Sequence, residues 1–67
     1  MAMLKVIEVL AESKKSWEDA AQEAVRTAAK TVRGIRSINV ENLQATVDKD
    51  IIVSYRINAK ITFVLED

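Results

Sequence analysis

The sequence predicts an α+β domain of order strand, helix, strand, strand. Three observations carry this reading. Every odd position from Ile51 to Leu65 is apolar, while Ser54, Arg56, Asn58, Lys60 and Thr62 lie between them. An alanine-rich stripe at spacings of three and four runs from Trp17 to Val32. Between these segments, the apolar parity of a second strand changes phase at Glu41-Asn42. Side chains alternate faces on a strand and repeat every three to four residues on a helix, so the first pattern demands a strand and the second a helix.

Met3 to Leu10 reads as the first strand. Val6, Ile7, Val9 and Leu10 place apolar groups on both of its faces, as in an inner or interface strand. Ala11 to Lys15 reads as a turn. Ser16 is the expected helix N-cap, with Asp19 in the third helical position as an approximate capping box. The helix is expected over Trp17 to Arg33. Glu18, Asp19 and Glu23 lie early and Arg26, Lys30 and Arg33 late, each set matching the helix dipole. Gly34 follows where a left-handed C-terminal residue is wanted. Alanine at positions 20, 21, 24 and 28 lets the helix approach a sheet closely.

Ile35 to Val47 reads as the second strand. Ile38 and Val40 share one parity, and Leu43, Ala45 and Val47 the other. One extra residue at Glu41-Asn42, a β-bulge, produces such a switch and bends the strand. Asp48-Lys49-Asp50 is the hairpin turn, and the third strand then runs to Leu65. At ~3.3 Å per residue this strand reaches roughly 50 Å, about twice the length of any helix available here to cover it. The uncovered apolar side chains and open sheet edges predict self-association.

Composition excludes several functions. The 67 residues make one domain, 1–67, near the lower size limit for an independent core. Cysteine and histidine are both absent, which removes disulfides, thiol chemistry, the usual general base and the commonest zinc ligand. Ten basic residues balance ten acidic ones, so no nucleic-acid or membrane partner is expected. No apolar run approaches a membrane helix or a signal-peptide core, and the expected location is the cytoplasm.

The remaining candidate chemistry is sparse. Ser54 and Lys60 share a strand face but are too far apart to touch, so no catalytic residue is assigned. Asp48 and Asp50 at the turn, with Glu66 and Asp67 at the end, are the candidate calcium or magnesium ligands; surface carboxylates are the simpler reading. Arg33, Arg36, Arg56 and Lys60 form a candidate basic cluster for a phosphate or planar ligand. Pairing of these cations with Glu8, Glu41 or Glu66 across the sheet is the competing reading. Trp17 reads as a core anchor.

Ser16-Trp17-Glu18, Ile35-Arg36, the bent strand, Tyr55-Arg56-Ile57 and Phe63-Val64-Leu65-Glu66 together resemble the dodecins over essentially the whole chain. The resemblance implies a three-stranded antiparallel sheet partly wrapped around one helix. It also implies a hollow homododecamer, non-enzymatic, that stores a small ligand, commonly a flavin (FMN, riboflavin or FAD), in pairs near two-fold axes. In that family a tryptophan stacks on the flavin and a glutamine bonds its edge. Here those positions fall on Ser37 and Arg56, with Gln44 and Ala45 as their pocket neighbours, so the usual flavin sandwich is not expected at full strength. The departures are similar to a branch lacking the tryptophan, which includes a calcium-associated member.

Overall fold

The computed structural model describes residues 3–65. Strand β1 spans Met3–Ser13, helix α1 Trp17–Ala28, β2 Ile35–Asp48 and β3 Ile51–Leu65. The sheet order is β1-β3-β2, with both pairings antiparallel. The helix lies on one sheet face and contacts all three strands.

β1 is longer than its sequence suggests. Ala11, Glu12 and Ser13 have little strand propensity, yet they pair with Ile57, Arg56 and Tyr55. The long β3 supplies ladder partners wherever β1 runs beside it, so tertiary pairing overrides local preference.

Helix α1 begins as expected. Ser16 is the N-cap, and its Oγ accepts from the Asp19 backbone N–H at 2.9 Å. Asp19 does not close the capping box; its carboxylate accepts from Ser13 Oγ at 2.6 Å instead, tying the helix start to the end of β1. The helix ends at Ala28 rather than Arg33. Lys30 donates to Thr27 and Thr31 to Ala28, so the chain tightens into three-residue turns. Gly34 is left-handed at φ 73°, but it turns the chain into β2 instead of capping the helix. Its carbonyl accepts from Val64 N–H at 3.0 Å.

The bulge at Glu41 is present: Val40 pairs with Ala59 and Asn42 with Asn58, leaving Glu41 as the extra residue. Ile38, Val40, Leu43 and Ala45 therefore all fall on the helix side. Two further register shifts occur. Arg36 is extra between Ile35 and Ser37. Val53 is extra on β3, between the Thr46–Ser54 and Val47–Ile52 pairs. The latter corrects the expected unbroken alternation from Ile51. It converts a three-residue connection into a two-residue turn at Lys49 and Asp50, whose φ values are 53° and 68°. Two consecutive left-handed residues define the type I′ turn that matches strand twist.

Ala20, Ile57 and Ala59 form the core, with Val9, Ala11, Trp17, Ala21 and Ile38 packed around them. Ile57 and Ile61 are the large side chains fully buried. The molecule is 51 Å long, whereas a helix of 12 residues spans ~18 Å. Beyond the helix, Val47, Ile51 and Ile52 remain more than half exposed, as do Leu43 beside its first turns and Leu4, Val6 and Leu10 on β1.

Candidate functional site

The sheet face turned away from the helix holds the polar side chains. Antiparallel register arranges them in rows that cross all three strands. Glu12, Arg56 and Gln44 form one row; Leu10, Asn58 and Asn42 the next; Glu8, Lys60 and Asn39 the third; Val6, Thr62 and Ser37 the fourth.

Arg56 donates to Glu12 Oε1 from both Nε, at 3.1 Å, and Nη2, at 2.8 Å. Lys60 Nζ lies 3.7 Å from Glu41 Oε1, and Asn39 Nδ2 donates to the other carboxylate oxygen of Glu41 at 3.3 Å. The competing reading of the basic residues therefore holds for two of them. Lys60 pairs with Glu41 as anticipated, while Arg56 takes Glu12, a partner visible only once β1 and β3 are in register. Arg33 and Arg36 are exposed. Glu66 and Asp67 lie outside the described residues.

In the row between the two ion pairs, Asn58 Oδ1 is buried without a hydrogen-bond partner. Beside Arg56, the Ser54 and Thr46 hydroxyls hydrogen-bond each other. Ser54 is thus engaged far along the strand from Lys60.

The candidate ligand residues separate within one protomer. Arg56 and Gln44 are direct register partners. Ser37 pairs with Thr62 on the same face, six residues along β3, or about 20 Å. Ala45 pairs with Tyr55, so alternation turns it to the helix side. Trp17 is also on that side. Its Nε1–H donates to the Gln44 backbone carbonyl at 2.8 Å, and its ring meets Tyr55 edge-on at 4.9 Å. Among the described residues, no group of three or more carboxylates could hold a metal, and no helix is long and apolar enough to cross a membrane.

A short helix on one face of a long, bent antiparallel sheet, with ion-paired polar rows on the other face, defines a small sheet-on-helix fold that leaves large apolar side chains exposed. A sequence model of the dodecin family matches residues 3–66, and the chain belongs to that family. It is similar to the calcium dodecin of Mycobacterium tuberculosis, with 38% identity over 63 residues, covering 94% of this chain and 89% of the relative. The crystal structure of the M. tuberculosis calcium dodecin, described as calcium-chelating, superposes with a TM-score of 0.83 at 36% identity, covering 96% of this chain and 91% of that one. A single-substitution variant of Thermus thermophilus dodecin gives a TM-score of 0.93 at 25% identity, with both chains fully covered.

Proposed function

We propose that this chain is one protomer of a hollow homododecameric shell that sequesters a small ligand without transforming it. The observation that carries the reading is the apolar surface left outside the core. Val47, Ile51 and Ile52 at the hairpin end are 62%, 65% and 53% exposed, and burying such a patch against other copies is strongly favourable. The polar rows of the opposite face supply hydrogen-bonding groups for a ligand, and neither histidine nor cysteine is present for catalysis. Arg56, Gln44 and Ser37, with Ala45 behind them, are the proposed ligand-position residues. Because they do not converge in one protomer, the pocket forms between copies. The proposed setting is the cytoplasm.

Flavins bind this shell weakly, because Ser37 offers no ring to stack on. Stacking on an aromatic contributes ~1–3 kcal/mol per contact, and its loss on both sides of a flavin pair costs several orders of magnitude. Fluorescence titration of riboflavin against the assembled protein tests this. Shallow, high-micromolar quenching supports it; tight stoichiometric quenching at nanomolar concentration contradicts the role given to Ser37.

The calcium-associated relative favours a second reading, a shell that binds calcium. Asp48 and Asp50, brought together from neighbouring hairpin turns, are the candidate ligands. Retained calcium and a melting temperature lowered by chelator support this reading, while an unchanged melting temperature and no bound metal exclude it.

A further inference from the structure

Resting on the reading of this face as the ligand surface, we propose that Glu12 tunes its charge selectivity, weakening phosphate-bearing ligands at the Arg56 position relative to uncharged ones.

Arg56 is the cation best placed to receive an anion here, because a guanidinium recognises phosphate through paired N–H groups. Its Nε–H and one Nη2–H are already committed to Glu12. The second cation, Lys60, is matched by Glu41, which Asn39 also holds. Glu8 lies opposite Lys60 in register. Both cations that lie in the rows, Arg56 and Lys60, thus have a carboxylate beside them. The row between the ion pairs is uncharged, and Asn42 is exposed on it. Such a face hydrogen-bonds a neutral ligand while Arg56 and Lys60 stay paired.

The Glu12–Arg56 pair is about half exposed on both sides, at 50% and 43%. Its influence is therefore modest, about fivefold in affinity at low salt, and fades as salt rises.

The test compares riboflavin with FMN, the same ring carrying a phosphate, in the assembled wild-type protein and in Glu12→Gln. Inorganic pyrophosphate is titrated by calorimetry alongside. Wild type is expected to prefer riboflavin. Glu12→Gln is expected to tighten FMN about fivefold relative to riboflavin and to tighten pyrophosphate by a similar factor, and adding Arg56→Gln removes both gains. Glu12→Ser also deletes the carboxylate and reads the same if Glu12→Gln fails to assemble. An unchanged FMN-to-riboflavin ratio without tighter pyrophosphate binding overturns the proposal. If neither flavin binds any form, pyrophosphate decides. Tighter binding to the variant than to wild type supports the role of Glu12 while counting against flavin storage, and equal binding or none overturns that role.

Discussion

The indole N–H of Trp17 donates to the backbone carbonyl of Gln44 at 2.8 Å, tying the first turn of α1 to edge strand β2. The ring also packs edge-on against Tyr55, whose register partner on β2 is the small Ala45. One side chain thus fixes the helix over the two strands that carry Gln44 and Arg56 on their far face. Ser13 Oγ donates to the Asp19 carboxylate and secures the same turn to β1, so the helix start is held to all three strands.

Replacing Trp17 by phenylalanine should keep most of the contact with Tyr55 and lose the hydrogen bond, costing about 1 kcal/mol. Trp17→Ala should cost about 3–5 kcal/mol, the usual range for deleting a large packed aromatic. Chemical denaturation at fixed protein concentration measures both, since any association would couple to folding. Equal losses for the two variants would mean that the ring contact contributes nothing.

Gly34 has φ 73°, and a Cβ there would lie 2.7 Å from Val64 Cγ1. Gly34→Ala therefore meets both a backbone penalty and a clash, together about 2–4 kcal/mol. Adding Val64→Ala should recover the steric part and leave the backbone part, so the double variant is less damaged than additivity requires. Strict additivity in denaturation experiments would refute the clash.

Lys49 and Asp50 both occupy the left-handed region, where glycine and asparagine are favoured. Lys49→Asn with Asp50→Gly should stabilise the hairpin by roughly 1 kcal/mol. A higher melting temperature at unchanged assembly size is the expected result. A lower one would mean that the turn's side chains contact neighbouring copies.

The main architecture was legible because each element shows its own period. Alternation from Tyr55 to Phe63, the stripe from Trp17 to Ala28 and the parity switch at Glu41 all leave apolar marks. The bulge at Val53 left none, because Ile51, Ile52 and Val53 are all apolar and give no contrast between faces. The stripe continues from Ala28 to Val32 and so suggests a helix to Arg33, but tertiary geometry turns the chain five residues earlier and the helix ends at Ala28. The Glu12–Arg56 pair lies 44 residues apart in sequence, and only the β1–β3 register joins it. Glu12 itself fell in a segment read as a turn. Arg56 and Gln44 were singled out together and are paired across β3 and β2, but nothing in a single chain brings Ser37 beside them.

Val47 and Ile51, exposed near the hairpin turn, should not tolerate charge if they lie between copies. Val47→Lys or Ile51→Lys should dissociate the assembly, because a desolvated ammonium costs several kcal/mol at each contact. The same substitutions would be nearly neutral on a free surface. Sedimentation velocity separates these outcomes.

Self-association that closes the apolar surface is the central claim, and the mass of the purified protein in solution tests it most directly. Light scattering coupled to size exclusion at micromolar concentration should give one species of roughly twelve times the 7.5 kDa chain mass. A monomer or simple dimer that remains folded under those conditions would contradict the account.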